Sequence, residues 1–370
     1  MASNILFLTL KVFAATGGIE KVCRVAGKAM YEMSIMKPVC AHVYCMYDKQ
    51  SDADDNKYFP SEMFRGFGTA KVKFILASVR KGIQCDTVVI SHINLLLVGW
   101  LIKKISPSTR IILFAHGIEI WGQLTRRKKM MLKCCDRIIP VSRFTSEKIQ
   151  EIHHVDAMKC RVLNNCLDPF LPKLSGGKCN EALRKQYGYK KEDKILFTLT
   201  RLSSKERYKG YDRVLHAMVK LKATHPNIRY LLAGSYDARE KIHLDQIIES
   251  LGLKDLVTIA GFISEEDLVA HFSMADIYVM PSMKEGFGIV FIEAMYYGLP
   301  VIAGNKDGSV DALCNGELGI LVDPLDTVAI ENAIEKILVN RNAYIPDREL
   351  LMAHFSYEQY KRKLEAILED

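Results

Sequence analysis

The sequence predicts an α/β protein built from two doubly wound domains with parallel sheets. Three observations carry that expectation. Short β-branched or apolar runs alternate with longer helical patterns along most of the chain. The alternation comes in two series. A stretch of turn-forming and charged residues separates them. In the first series the strand candidates are Ile5–Leu10, Val39–Tyr44, Thr87–Ser91, Arg110–Ala115, Arg137–Val141 and Arg161–Leu163, with helices such as Glu20–Met33 and Thr125–Cys134 among them. The second series runs Lys194–Thr200, Arg229–Ala233, Val257–Ala260, Ile277–Met280, Val301–Ala303 and Gly319–Leu321. Its helices include Tyr211–Ala223, Ala238–Leu251, Glu265–Ser273 and Ile289–Tyr297. Strands that alternate with helices make parallel sheets covered on both faces. Between the series, Asp168–Glu192 holds Pro169, Pro172, Ser175, Gly176, Gly177 and several lysines, a linker composition. Ligands of such folds sit at the carboxyl ends of the strands, which places the expected site in a cleft between the domains.

Composition agrees with this and narrows the function. The chain has 370 residues, of which 49% are hydrophobic and 25% charged. That excludes a disordered or collagen-like chain and suits two domains. The net charge of +8 is unevenly spread: 25 Lys+Arg stand against 14 Asp+Glu up to Asp168, and 26 against 29 beyond it. The basic character belongs to the first half. No run reaches the roughly 18–20 apolar residues of a membrane span, because Ile90–Ile102 is broken by His92 and Asn94. Ile5–Leu10 has no basic segment ahead of it and reads as a first strand, not a secretory leader. The 10 cysteines include no CxxC pair, so a reduced, cytoplasmic protein without a zinc site is expected.

Four motifs carry chemistry. The first is Pro281–Ala294, where the strand Ile277–Met280 ends in a glycine-bearing turn that opens a helix. Glycines let backbone approach a ligand. The amides near Phe287, Gly288 and Ile289 would meet an anion such as a diphosphate at the helix start. Glu285 sits in the turn and Glu293 about two helical turns on, so one carboxylate suits a sugar and the other ribose hydroxyls. The second motif is Thr200–Gly210, after the first strand of the second series. Arg201 and Lys209 there are cationic donors for a diphosphate leaving group, while Lys205 and Arg207 read as solvent-facing. The third is Phe114–Trp121, which delivers His116 at a strand end beside Gly117 and Glu119. The fourth is Gly17-Gly18, at the turn after the first strand. It departs from the dinucleotide pattern G-x-G-x-x-G.

Together these motifs resemble the family-4 (group 1) retaining glycosyltransferases of the GT-B fold, over nearly the whole chain and most densely from Phe197 to Asp323. Glu285 and Glu293 match the family's E-x₇-E motif. Arg201 and Lys209 match its phosphate-binding pair, His116 its N-domain histidine, and Gly17-Gly18 its glycine loop. Gly234-Ser235 and Gly261-Phe262-Ile263 resemble segments that line the nucleoside pocket, so Gly234, Phe262 and Ile263 join Phe287, Gly288 and Ile289 as binding residues. Val141–Thr145 and Val162–Asp168 resemble further family segments. There are departures. Asn165-Cys166-Leu167-Asp168 replaces the usual Asn-Gly-Val-Asp. The Arg-to-Lys spacing is longer than in many members. Gly308-Ser309-Val310-Asp311 stands where many members carry two glycines and a glutamate.

The resemblance implies an acceptor domain, 1–172, rejoined by the closing helix 356–370, and a sugar-nucleotide domain, 173–355. It also implies a UDP- or GDP-linked sugar donor, a glycan or polyprenyl-linked acceptor, and a place in bacterial surface-polysaccharide synthesis. No cofactor and no metal are expected: Asp52-Ala53-Asp54 spells Asp-x-Asp, yet lies in the polar stretch Asp48–Lys57 with no strand to deliver it. Two other readings are weighed. One is a sugar-nucleotide epimerase on the same scaffold; the other is a non-catalytic sugar-nucleotide-binding partner, which would be expected to lack Glu285, His116 or Lys209. The cluster Arg126-Arg127-Lys128-Lys129 with Lys133, interleaved with Met130, Met131 and Leu132, points to peripheral contact with anionic membrane at the cytoplasmic face. Nucleic acid is not expected, because the cations are not interleaved with aromatics.

Overall fold

The computed structural model describes residues 3–173 and 181–370. Ser175, Gly176 and Gly177 of the linker lie outside the described residues. In chain order the elements of the first half are β1 (Ser3–Thr9), α1 (Gly18–Met36), β2 (Val39–Cys45), β3 (Phe64–Gly66), α2 (Lys71–Gly82), β4 (Thr87–Ile90), α3 (Leu96–Ile105), β5 (Arg110–Ala115), α4 (Ile118–Trp121), α5 (Arg126–Lys133), β6 (Arg137–Pro140) and α6 (Arg143–His153). The second half has α7 (Glu181–Gln186), β7 (Lys194–Leu199), α8 (Tyr211–Thr224), β8 (Ile228–Ala233), α9 (Ala238–Ser250), β9 (Val257–Gly261), α10 (Leu268–Met274), β10 (Ile277–Met280), α11 (Ile289–Tyr296), β11 (Val301–Gly304), α12 (Ser309–Ala312), β12 (Ile320–Val322), α13 (Thr327–Val339), α14 (Arg348–Phe355) and α15 (Tyr357–Glu369). The chain divides into two compact units, Met1–Pro169 with Phe355–Asp370, and Phe170–His354.

Unit 1 holds a parallel six-stranded sheet in the order β3-β2-β1-β4-β5-β6. Its central strands are apolar without a break because helices cover both faces: β4 (TVVI) is buried throughout. On one face α2 packs on α3 and α3 on α5. Phe74, Leu96, Ile102 and Leu132 from these helices meet Val88, Ile90, Ile111 and Leu113 of the sheet. On the other face α15 lies against α1. There Glu32 accepts from Tyr357 Oη at 3.0 Å and Lys361 Nζ at 3.0 Å. Arg110 of β5 also donates to the Leu368 carbonyl at 2.7 Å.

Unit 2 repeats this plan. Its sheet runs β12-β11-β10-β7-β8-β9, which is the same topology traversed from the opposite edge. In both sheets the order reverses direction at one point, between β1 and β4 and between β7 and β10, and a ligand crevice lies there, outside the carboxyl strand ends. The core under α8, α9 and α13 gathers Tyr211, Leu215, Leu232, Leu244, Val279 and Ile334. Helix starts carry the expected caps. Ser142 accepts from Thr145 N, Asp237 from Glu240 N, and Asp326 from the amides of Val328 and Ala329.

One strand expectation fails. Arg161–Leu163 forms no strand: the chain beside β6 makes a single bridge, Ile138 with Cys160, and two further bonds from Arg161 N and Leu163 N to the Ile138 and Pro140 carbonyls. The run is too short, and its Arg161 too polar, to sustain a ladder. No described helix is long and apolar enough to cross a membrane.

Candidate functional site

In unit 2 the loops after β7 and β10 leave the sheet at its reversal point and carry Arg201, Lys209 and Glu285. The two loops are bound together: the Met283 amide donates to the Tyr208 carbonyl at 2.9 Å. Lys209 Nζ forms an ion pair with Glu285 Oε1. Both side chains are largely buried, 14% and 15% exposed. Burial opposes the lysine's charge, but the Glu285 carboxylate and its hydrogen bond outweigh it and raise the Lys209 pKa. Lys209 is therefore an ammonium, and one of its three N–H donors faces Glu285. Arg201 is more open and meets Glu206 Oε1 at 3.0 Å.

The Glu285 turn is fixed from a third loop, after β11. Asp307 Oδ2 accepts from the Glu285 amide at 2.7 Å and Oδ1 accepts from the Ser309 amide at 2.9 Å. The Gly308 amide donates to the Glu285 carbonyl at 2.8 Å. Any Cβ at Gly308 would run into the Gly286 carbonyl, so only glycine allows this approach. Burial raises the Asp307 carboxyl to about 6, against the hydrogen bonds it accepts. Past the turn, Phe287 is buried and Gly288, at φ +85°, caps α11. Neither the Ile289 nor the Val290 amide has a protein acceptor among the described residues, as at any helix start. Glu293 is 3% exposed inside α11. It and Glu285 both act electrostatically on the Tyr278 hydroxyl, which burial, above all, shifts upward.

The loop after β8 completes this side. Gly234 has φ +133° and its missing Cβ would overlap the Thr200 carbonyl oxygen. Its amide donates to the Gly261 carbonyl at 2.7 Å, and Thr200 N to Ala233 O at 2.9 Å. Gly234 thus locks the ends of β7, β8 and β9 together. Ile263 is buried, whereas Phe262 is 66% exposed beside Gly261. Asp237 Oδ2 accepts from Ser204 N at 2.8 Å and Ser203 Oγ at 3.0 Å, holding the Arg201–Lys209 loop. The backbone bonds it accepts from Ser204 and Glu240 hold its carboxyl down to about 2. Arg207 is not simply solvent-facing. Its Nε donates to Glu240 Oε2 at 2.8 Å, and the wholly buried Glu240 also accepts from Tyr211 Oη at 2.8 Å.

In unit 1, β5 delivers His116 to the carboxyl edge. Its Nε2 lies 2.8 Å from the Ser91 carbonyl at the end of β4. A carbonyl only accepts, so Nε2 carries a proton and donates it to Ser91. The ring stacks on Phe114, 6.0 Å between centroids. Glu119 Oε1 accepts from the amides of His116 and Gly117 at 2.6 and 3.2 Å. His92 joins this group: burial lowers its pKa, Glu119 opposes that, and His116 adds to it. Gly17 caps α1 and Gly18 begins it. The loop before them is held by the buried Asp48, whose Oδ2 accepts from Val12 N at 2.9 Å and Phe13 N at 2.7 Å. The structure therefore gathers Arg201, Lys209, Gly234, Phe262, Glu285 and Gly288 on the strand ends of unit 2. His116 and Gly17-Gly18 occupy the strand ends of unit 1. Asp52 and Ala53 belong to a short 3₁₀ helix, Gln50–Ala53, that Asp54 caps, and Asp52 Oδ2 accepts from the Lys49 amide at 2.8 Å.

Three residues were missed by sequence reasoning. Asp307 lies 22 residues from the amide it holds, and Glu240 33 from the arginine it pairs with. Nothing local marks either. Asp237 did have a signal, as an Asp immediately before a helical run.

Two family models match the chain: Glycosyltransferase Family 4 over residues 17–169, and Glycosyl transferases group 1 over residues 180–362. The chain belongs to the group 1, family 4 glycosyltransferases. It is 30% identical over 205 residues to an uncharacterized glycosyltransferase of Methanocaldococcus jannaschii, a match covering 55% of this chain and 50% of that protein. It is 27% identical over 258 residues to the GDP-mannose-dependent alpha-(1-6)-phosphatidylinositol monomannoside mannosyltransferase of Mycolicibacterium smegmatis, covering 66% and 65%. The chain thus spans between half and about two thirds of these curated relatives' length. Among solved structures, Anabaena Alr3699/HepE in complex with UDP and glucose superposes with TM-score 0.81 at 18% identity over 99% of both chains. The two sheets are those of the GT-B fold.

Proposed function

We propose that the enzyme moves a hexosyl group from a nucleotide-diphosphate sugar to a glycan or polyprenyl-linked acceptor, with retention of anomeric configuration and without a metal ion. The observation that carries this reading is the Lys209–Glu285 pair, set at the reversal point of the unit 2 sheet and tied down by Asp307. Lys209 keeps N–H donors beyond the one facing Glu285. With Arg201 and the amides of Ile289 and Val290 it would neutralise the diphosphate as the anomeric C–O bond breaks and its electron pair passes to the leaving oxygen. The acceptor oxygen forms the new bond on the same face, and its proton goes to the departing diphosphate.

In this scheme Glu285 and the Phe287-Gly288 backbone orient the sugar hydroxyls. Glu293 takes the ribose, where burial makes a charge-assisted bond strong. Gly234, Phe262 and Ile263 border the nucleoside. Gly17-Gly18 are assigned to phosphate and His116 to the reacting sugar, the roles the family resemblance implies. The relative that uses GDP-mannose and the one crystallised with UDP and glucose leave both nucleotides open for this chain. Acceptor attachment to a lipid, in surface-polysaccharide synthesis on the cytoplasmic side, agrees with the basic cluster of α5, read as a contact with anionic membrane.

Titration with UDP, GDP and ADP, followed by turnover with the sugar nucleotide so chosen, tests the proposal. Turnover is expected to persist in EDTA and to fall by orders of magnitude in Lys209→Ala and Glu285→Ala. If either variant kept activity within a few-fold of the parent, the assignment would fail. Product formation that needed no acceptor would instead mark an epimerase.

A further inference from the structure

The strand ends of unit 2 carry a feature that the scheme above leaves unused. Among the described residues only two aromatic side chains, Tyr236 and Phe262, are exposed; every other Phe, Tyr and Trp is buried or half-buried. Tyr236 is 47% and Phe262 66% exposed. Apolar residues scattered singly on a surface are ordinary, but these two stand together. Tyr236 follows the end of β8 and Phe262 the end of β9, and the two strands are neighbours in one sheet. A Cβ at Gly261, the residue before Phe262, would lie 3.8 Å from Tyr236 Cε1, which is van der Waals contact. Neither ring has an aromatic or cationic partner among the described residues, and the Tyr236 hydroxyl makes no hydrogen bond there.

Their place in the fold says what would cover them. Leu202 bridges to Tyr236: its amide donates to the Ser235 carbonyl at 2.9 Å, and its carbonyl accepts from the Asp237 amide at 3.1 Å. Tyr236 is thereby tied beside Arg201, the cation assigned to the diphosphate. A nucleoside that continues from this diphosphate across the ends of β8 and β9 meets both rings. The amides of Phe262 and Ile263 donate to no protein acceptor among the described residues, so they are free to bond the oxygens and ring nitrogens of a base edge. Every base has a π face that stacks on an aromatic side chain, so the choice between bases comes from area. A single-ring pyrimidine covers one side chain, whereas the two fused rings of a purine cover two. We propose that Tyr236 and Phe262 form an aromatic platform for the nucleobase and select a purine, so that the donor is a GDP- or ADP-linked sugar and not a UDP-linked one. This rests on the donor-site reading given above and adds to it Tyr236 and the class of base.

The test is calorimetric titration of the full chain with GDP, ADP, UDP and inorganic pyrophosphate, on the parent, Tyr236→Ala, Tyr236→Phe and Phe262→Ala. The better purine nucleotide is expected to bind at least about tenfold tighter than UDP. Tyr236→Ala and Phe262→Ala should each weaken it about tenfold, the scale of one lost base–aromatic contact, and weaken pyrophosphate by less than about twofold. Tyr236→Phe should bind as the parent does, because stacking needs the ring and not the hydroxyl. A ring that only held its loop in place would lower pyrophosphate and nucleotide affinity together, and that result would overturn the proposal. So would a Tyr236→Ala variant within about threefold of the parent for every nucleotide. UDP bound as tightly as both purine nucleotides, with turnover of a UDP-linked sugar, would remove the purine platform and leave the sugar-transfer reading standing. A chain that bound none of the three nucleotides would remove the sugar-transfer reading and this assignment with it.

Discussion

The Lys209–Glu285 pair gives the sharpest test of the donor side, because its energetics separate cleanly by variant. Two unit charges at 4 Å attract by about 4 kcal/mol at an effective dielectric of 20, and removing each ion from water costs several kcal/mol. With both side chains about one-seventh exposed, the pair as a whole contributes little net stability. Removing one partner is different, since it strands the other charge at a largely buried site and costs about 3–5 kcal/mol. Lys209→Met and Glu285→Gln are therefore expected to destabilise unit 2 by about 3 kcal/mol each, and the double variant by less than either. The assay is urea unfolding followed by far-UV circular dichroism, with hydrogen exchange at β7 and β10. Trp100 and Trp121, the only two tryptophans, both lie in unit 1. Their fluorescence serves as an internal control that should not move. Single variants within about 0.5 kcal/mol of the parent, or a double variant equal to the sum of the singles, would refute the coupling.

Three further outcomes are expected. Gly234→Ala forces a Cβ toward the Thr200 carbonyl at φ +133°, so nucleotide affinity by calorimetry should drop at least about tenfold as a few kcal/mol of strain are relieved by loop displacement. Asp307 is raised from 3.8 to about 6, so the folded state binds its proton more tightly than the unfolded chain. Its stabilising effect is full below pH 4 and is lost as pH rises to 6, a fall of about 3 kcal/mol; Asp307→Asn should remove that slope from the urea midpoint measured across pH 4–7. His116→Ala should lower kcat at least about a hundredfold, the scale of one lost transition-state donor or acceptor, while donor Kd changes by less than about threefold; an unchanged kcat would remove His116 from the reaction.

What the sequence makes legible here is what local pattern controls. The buried strands announce themselves as unbroken apolar runs, and the turn from Pro281 to Gly288 carries its own glycines and carboxylate. Helix α2 escaped notice because its exposed Val72 and Leu76 spoil the apolar periodicity that marks a core-facing helix. β3 is three residues long, below what periodicity resolves. The other omissions are contacts across sequence distance. Arg207 looks solvated in its own loop and becomes the partner of a wholly buried Glu240 only when α9 docks beside it.

The same reasoning bears on where catalytic precision comes from. Both units share one strand order and one reversal point, so topology alone would give either unit an equal claim to the anion. The difference lies in how their loops are tied. In unit 2 the loops after β7, β8, β10 and β11 bind one another by backbone contacts: Met283 to Tyr208, Gly308 to Glu285, Thr200 to Ala233. The close approaches depend on glycines without a Cβ: Gly234 against the Thr200 carbonyl, Gly308 against that of Gly286, and Gly210 against that of Pro281. A charged site that must favour a transition state works best when its donors need no reorganisation. Lys209 and Glu285 supply the charge, but the backbone interlock beneath them fixes its position. Hence a single methyl at Gly234, which removes no charge, is expected to damage donor binding although Lys209 and Glu285 remain.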